Sequence, residues 1–283
     1  MWMTHDLKGK VFLVTGATEG IGKVAALEFA RRGAQVVLVG RNPEKSERVL
    51  AQLESQSQND QLELLLGDMS KLADVRAVAA AFAKKHDRLD VLVNNAGAIF
   101  SDYKLSADGF EMTFALNHLG YFLLTKELLP LLQKTPGSRV VSTSSGAHQT
   151  GKMDIDYIAK RNGKSAGFAA YGDSKLANIL FTRALARRAK GVAVNCFHPG
   201  FVATGFAQNN EGIMSRLIGV TAKLLARTPE KGAETLIWLA TSPEAATLSG
   251  EYCHDCKPAK TSKLARDEAA AEGLWGLSEK LCS

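Results

Sequence analysis

Tyr171 and Lys175 stand four residues apart in Ala170-Tyr171-Gly172-Asp173-Ser174-Lys175. On a helix, positions i and i+4 share a face, so this spacing sets an ammonium beside a phenol. A free tyrosine titrates near pH ~10 and exchanges protons poorly at neutrality. A neighbouring cation favours the phenolate and lowers that value, which predicts an acid usable near pH ~7. The same spacing on a solvated helix is an ordinary surface pair, and the upstream residues decide between the two readings.

Upstream, Lys10-Val11-Phe12-Leu13-Val14-Thr15 reads as a buried strand that breaks into Gly16-Ala17-Thr18-Glu19-Gly20-Ile21-Gly22. A helical pattern follows, with Ala25, Ala26, Phe29 and Ala30 on one side, and Gly33 stops it. Glycines let a backbone bend sharply and approach a pyrophosphate, while a helix start offers unpaired N–H groups to the anion. Gly16, Thr18, Gly20, Ile21 and Gly22 are therefore candidate nucleotide contacts. Their spacing is G-x-x-x-G-x-G rather than G-x-G-x-x-G.

With that turn, the run Asn94-Asn95-Ala96-Gly97, Asn117, Ser145, Tyr171-x-x-x-Lys175 and Pro199-Gly200 resembles the classical short-chain dehydrogenase/reductase family in residue type and order. The resemblance runs from about Leu7 to the end of the chain. Longer stretches, Asn117-His118-Leu119-Gly120-Tyr121-Phe122 and Ser174 to Phe181, look more narrowly like the retinol dehydrogenase and WW-domain oxidoreductase branch.

The resemblance implies catalytic roles for Asn117, Ser145, Tyr171 and Lys175. Tyr171 would give a proton to a developing alkoxide, and Ser145 would hydrogen-bond the same oxygen, with Ser144 the reserve for that part. Lys175 would favour the phenolate and contact the nicotinamide ribose, and Tyr171 would also contact the cofactor. Asn117 would link Lys175 to the proton supply through a water. Asp68 resembles the family's adenine-contacting aspartate, although Ser70 as a helix cap would also account for the polarity there. Asn94, Ala96 and Gly97 would lie on the cofactor side in a segment that also steadies the sheet, and Pro199, Gly200 and Thr204 would lie beside the nicotinamide, with Thr204 holding the carboxamide.

The end of the second strand bears on the cofactor. Gly40 holds the place where an acidic residue would accept the ribose hydroxyls of NAD, and Arg41 stands beside it. A guanidinium binds a 2′-phosphate that a carboxylate would repel, so NADP(H) is expected in preference to NAD(H), although Glu19 adds negative charge nearby.

Short apolar runs alternate with helical patterns along the chain, the pattern of a parallel sheet covered on both faces. Strands are predicted at Val11 to Thr15, Gln35 to Val39, Gln61 to Leu66, Val91 to Asn94, Arg139 to Thr143, Val192 to Phe197 and near Ser249 to Cys253. Helices are predicted to begin near Gly20, Pro43, Leu72, Ala107, Gly167, Ile213 and Pro229, with a terminal one after Thr261. The expected fold class is α/β: a single-domain, Rossmann-type, doubly wound parallel sheet with helices on both faces, over 1–283. Its nucleotide-binding part covers about 7–200, and its C-terminal strand and helix about 249–283. An apolar stripe over 206–226 is expected to form a substrate-side lid or to pack on the sheet. From Ser145 to Tyr171 the gap is long, and Gln149 to Ser165 is a second candidate flap.

The chain has 283 residues, 46% of them hydrophobic, with no linker, repeat or apolar run of membrane-spanning length. The formal charge is +6. Its cations are scattered among acids, which argues against nucleic acid as a partner and suits an anionic dinucleotide. Cys253-His254-Asp255-Cys256 lacks a second ligand pair, so no metal is expected. The four cysteines form no disulfide framework and the first residues lack a signal peptide's apolar core, so a cytoplasmic location is expected. A homo-oligomer would pair, as family members do, through the helices carrying Asn117 and Tyr171.

The leading expectation is an oxidoreductase moving a hydride between nicotinamide and the carbonyl or alcohol carbon of an apolar small molecule. A non-catalytic dinucleotide sensor on the same fold and a membrane-surface scaffold are the competing readings. The intact Ser145, Tyr171 and Lys175 argue against the sensor, while the scaffold would use the basic charge and the 206–226 stripe.

Overall fold

Val11–Thr15 (β1) and Gln35–Gly40 (β2) carry no alternation of polar and apolar residues, and β1 is buried at every position. Such strands need cover on both faces, and the chain provides it by returning through a helix after each one. In order come β1, α1 (Gly20–Arg31), β2, α2 (Pro43–Ser57), β3 (Leu62–Leu66), α3 (Leu72–Lys85), β4 (Val91–Asn94), α4 (Gly120–Lys134) and β5 (Arg139–Thr143). Then follow α5 (Gly167–Arg188), β6 (Ala193–Phe197), α6 (Pro229–Thr241), β7 (Tyr252–His254), β8 (Lys257–Pro258) and α7 (Glu268–Leu281). This computed structural model describes residues 6–154, 167–201 and 227–283.

Among the described residues the strands form one eight-stranded sheet in the order β3-β2-β1-β4-β5-β6-β7-β8. All neighbours are parallel except the last pair. One apolar cluster joins the sheet to α3, α4, α5 and α7 through Phe82, Phe122, Leu180 and Leu274. A second joins the other face to α1, α2 and α6 through Phe29, Leu53 and Leu236. The fold is doubly wound. Because β1 has β2 on one side and β4 on the other, the order reverses there, and ligands bind such sheets in the crevice beyond the strand ends at that point.

Local chemistry starts the helices. Asn42 caps α2 by accepting from Lys45 N at 2.9 Å, with Pro43 following it. Thr228 does the same for α6 ahead of Pro229, and Asp267 caps α7. The start of α1 differs: its N-cap Glu19 makes no side-chain cap bond, and its first turn holds no acidic residue. Its leading N–H groups therefore lack a side-chain partner of the kind that Asn42 supplies.

Three sequence expectations are corrected. The helix predicted from Ala107 begins at Met112, because Gly109 turns at φ 81° and the Glu111 carboxylate accepts from Thr113 N and Phe114 N. Ser70 does not cap α3; its hydroxyl donates to Asp68 Oδ1 at 2.7 Å, and the N-cap position is Lys71. The antiparallel β8 was not foreseen, since a two-residue strand carries no periodicity. The helix expected near Ile213 lies outside the described residues, as does the stripe over 206–226.

Candidate active site

Thr15, at the end of β1, ties the glycine turn to the segment after β4. Its Oγ1 accepts from Asn95 N at 2.9 Å and Ala96 N at 3.1 Å and donates to Val93 O. The Asn95 amide donates to Thr15 O and Gly16 O, and its carbonyl oxygen accepts from Thr143 Oγ1. One side chain thus joins the ends of β1, β4 and β5. A Cβ on Gly16, which sits at φ 65°, would lie 2.8 Å from Ala96 Cα, and one on Gly22 would overlap Asn95 Nδ2 and Gly16 O. These glycines let two backbone segments close on each other at the mouth of the crevice.

Asn94, expected on the cofactor side, has no exposed surface, and its amide donates to Thr125 Oγ1 at 2.9 Å. Asn95, in the segment expected to steady the sheet, ties the strand ends together. Thr18 lies near Gly40, and Ile21 is buried in the α1 face of the core. Arg41 is an exposed guanidinium 3.8 Å from Asp68 Oδ2. Both therefore stand where the second and third strands end.

On the other side, Ser145 follows β5 and caps a 3₁₀ turn, Gly146–Thr150, by accepting from Ala147 N. That turn presses on α5 where Gly172 has no side chain: a Cβ there would lie 2.5 Å from Thr150 Oγ1 and 3.0 Å from Ala147 O. The close approach brings Ser145 near Tyr171, where its hydroxyl favours the phenolate. Ser144 is otherwise engaged, donating to Lys175 O at 2.8 Å.

Lys175 is 1% exposed, and its Nζ donates to Thr143 O at 3.1 Å. The ammonium lies between two aromatic faces, 5.4 Å from the Tyr171 ring centre and 5.8 Å from that of Tyr121. Asn117 belongs to a π turn, Ala115–Leu119, that leads into α4. Its Oδ1 accepts from Ala98 N, its Nδ2 donates to Ala98 O and Ser174 Oγ, and its main-chain carbonyl accepts from Asn178 Nδ2. A Cβ on Gly97 would meet Asn117 Oδ1 at 3.0 Å and Lys175 Nζ at 3.6 Å, so Gly97, Asn117 and Lys175 converge.

The expected lowering of the Tyr171 phenol is corrected. Burial pushes it up to about 12, with Ser145 pulling the other way. Burial also pulls the Lys175 ammonium down to about 7. The amine faces the ring and the Thr143 carbonyl, and desolvation outweighs the attraction that the spacing suggests.

Behind these residues lies a network that sequence reasoning missed, although its members stand in the quoted stretches. Asn178 Nδ2 donates to Thr143 O as well as to Asn117 O, while its Oδ1 faces His118 Nδ1 at 3.3 Å. His118 Nε2 in turn faces Ser278 Oγ at 2.9 Å on α7. The chain's last helix thus backs the helices of Asn117 and Tyr171, with Trp275 stacked on Phe181.

Burial holds the His118 imidazole down at about 4, against 6.5 when free. Between those values the unfolded chain takes up a proton that the folded protein does not. The stability tied to neutral His118 is complete above pH 6.5 and is lost as pH falls toward about 4. The loss amounts to roughly 3 kcal/mol below that range. His118→Gln should give a flatter fall in urea midpoint between pH 7 and pH 4 than the unsubstituted protein, even if its midpoint at pH 7 is lower.

Pro199 and Gly200 follow β6, and Gly200 N donates to His198 Nδ1 at 3.1 Å. The φ of 80° at Gly200 lets the loop lie against the Arg227 side chain, itself paired with Asp255. Thr204 lies outside the described residues, as do positions 155–165 of the second candidate flap.

Residues 10–212 match the family model described as short chain dehydrogenase. The chain belongs to the short-chain dehydrogenase family. Within it the chain falls in the retinol dehydrogenase-like branch. It is 40% identical to human retinol dehydrogenase 11 over 97% of this chain and 86% of that one. It is 38% identical to mouse retinol dehydrogenase 12 over 98% and 87%. A protein of Mycobacterium paratuberculosis, at 31% identity, superposes with a TM-score of 0.79 over 99% of this chain and 97% of its own. A short chain dehydrogenase of Escherichia coli CFT073 complexed with NADPH gives 0.69 at 27% identity, over 89% and 98%. Among the described residues of this family member, no helix is long and apolar enough to cross a membrane.

Proposed function

We propose that the chain is an NADP(H)-dependent oxidoreductase acting on the carbonyl or alcohol carbon of an apolar small molecule, of retinoid, steroid or lipid-aldehyde type. The observation that carries this reading is the meeting of Ser145, Tyr171 and Lys175 at the strand ends beside the glycine turn. The NADPH complex of the Escherichia coli relative supports the choice of dinucleotide, as does the exposed Arg41 next to Gly40.

The described residues fit a dinucleotide. The uncapped α1 start and the Gly16 to Gly22 turn would hold the pyrophosphate, and Arg41 a 2′-phosphate. Ala96, Gly97 and Lys175 would lie along the nicotinamide ribose, with Pro199 and Gly200 beside the ring and Asp68 toward the adenine. When bound, the nicotinamide supplies or accepts the hydride.

The chain's own part is to hold the substrate oxygen and move its proton. Ser145 donates a hydrogen bond to that oxygen, and Tyr171 gives its phenolic proton as negative charge develops there. A phenol held near 12 is protonated at neutral pH, ready to act in the reducing direction. Lys175, linked through a water to Asn117, would replace that proton, and the Thr143 carbonyl holds the amine in place. Phe168 is 60% exposed with its ring 6.3 Å from that of Tyr171, and Phe201 next to Gly200 is 59% exposed. An exposed aromatic ring beside Tyr171 suits an apolar substrate. A cytoplasmic location belongs to the same proposal.

A panel of apolar aldehydes and ketones, read by loss of reduced-cofactor absorbance, tests the reading. NADPH should be consumed with at least one long-chain or ring-bearing carbonyl, and NADH markedly more slowly. Binding of NADPH with no turnover across the panel would favour a sensor instead.

A further inference from the structure

Gly40 ends β2 at the position from which an acidic side chain reaches the adenosine ribose in NAD-binding sheets of this kind. The space such a side chain needs is already filled. A Cβ on Gly40 would overlap Ser46 Oγ and lie 3.0 Å from Ser46 Cβ and 3.1 Å from Thr18 Cγ2. Ser46 cannot easily withdraw. It sits in the first turn of α2, its N–H bonded to Asn42 O at 3.0 Å, and that turn is fixed by the Asn42 cap and Pro43.

Ser46 is also fully buried, and its hydroxyl has no hydrogen-bond partner among the described residues. A buried hydroxyl without a partner destabilises a fold relative to an apolar group of the same size. Its packing against Gly40 is therefore a local cost with no local return. Two cations flank the place: Arg41, weakly paired with Asp68, and Lys45, whose Nζ is 2.5 Å from Glu19 Oε2. That pairing leaves Glu19 neutralised, so the one acidic residue of the glycine turn does not act as an unpaired charge toward a 2′-phosphate.

We propose that Ser46 is a positioning residue that holds position 40 to glycine. By filling the volume above Gly40 it bars the acidic side chain that NAD recognition uses, so a substitution at 40 alone cannot install that recognition. This rests on the cofactor reading above. It also states why the preference resists reversal at one position: the acid at 40 and the hydroxyl at 46 exclude each other.

The test measures NADH and NADPH dissociation constants by fluorescence titration for the unsubstituted chain, Gly40→Asp, Ser46→Gly and the double variant. Ser46→Gly alone should leave NADPH affinity within about twofold. Gly40→Asp alone should melt lower and gain little for NADH. The double variant should recover the melting temperature and bind NADH about tenfold or more tightly than Gly40→Asp, the worth of a well-placed carboxylate bond. If Gly40→Asp does not fold, Gly40→Ala with and without Ser46→Gly serves: the melt lost on adding the methyl should return in the pair. Equal NADH affinity in single and double variants, or no recovery of the melt, overturns the role of Ser46. An unsubstituted chain that binds NADH and NADPH alike overturns the cofactor reading instead, while the single-to-double ratio still judges Ser46.

Discussion

Tyr171→Phe is expected to lower kcat for carbonyl reduction by about 10²–10⁴, the range general acid catalysis supplies, while NADPH affinity stays within about twofold. The split follows from the geometry. The substitution removes one oxygen, the one that Ser145 influences, and keeps the ring that faces the Lys175 ammonium at 5.4 Å. The aromatic face and the packing of the 3₁₀ turn against Gly172 survive. Steady-state rates with one accepted carbonyl, alongside NADPH titration, check both halves. A comparable loss of NADPH binding would mean that the phenol holds the cofactor rather than the proton.

Lys175→Met should separate function from stability in opposite directions. Catalysis should fall by about 10²–10⁴, because the amine next to Tyr171 and on the Thr143 carbonyl is gone. Stability at pH 7 should hold or rise. An ammonium pulled from 10.5 down to about 7 is one whose charge the fold disfavours. Between those values the unfolded chain binds the proton more tightly, so the penalty is present at and below pH 7 and is relieved toward pH 10.5. A shift of that size corresponds to a few kcal/mol, roughly 1.4 per unit. The Thr143 carbonyl keeps Asn178 as a donor after the change, so no buried acceptor is stranded. Urea unfolding of both proteins at pH 7 and pH 9 reads this: a clear drop in midpoint for Lys175→Met at pH 7 would show that the amine is held for stability.

The strands of this fold were legible because parallel strands covered on both faces leave unbroken apolar runs, and each predicted run coincides with a strand to within about three residues. The glycine turn was legible because glycines between a strand and a helix mark a sharp bend and a close approach of backbones, which Gly16 and Gly22 make. Less could be read where the outcome depends on distant contacts. The helix predicted from Ala107 gave way to a turn because Gly109 and Glu111 act locally, and the π turn around Asn117 leaves no mark on periodicity. The phenol was expected to fall because spacing shows the amine, whereas the burial that raises it comes from the packed α5 face. Asn94 and Asn95 are adjacent and alike in type. Alternation along β4 sends the first into the core and leaves the second to tie three strand ends together. The exclusion between Gly40 and Ser46 spans strand and helix and becomes visible only when both are placed.

The central claim is that the crevice beside Tyr171 passes a hydride to a carbonyl carbon and a proton to its oxygen. Mass spectrometry of the product formed from an accepted apolar aldehyde and NADPH deuterated on the transferring face of C4 tests it most directly. One deuterium should appear on the carbinol carbon with the unsubstituted chain, and the labelled product should all but vanish with Tyr171→Phe. Alcohol without the label, or equal labelled product from both proteins, would contradict it.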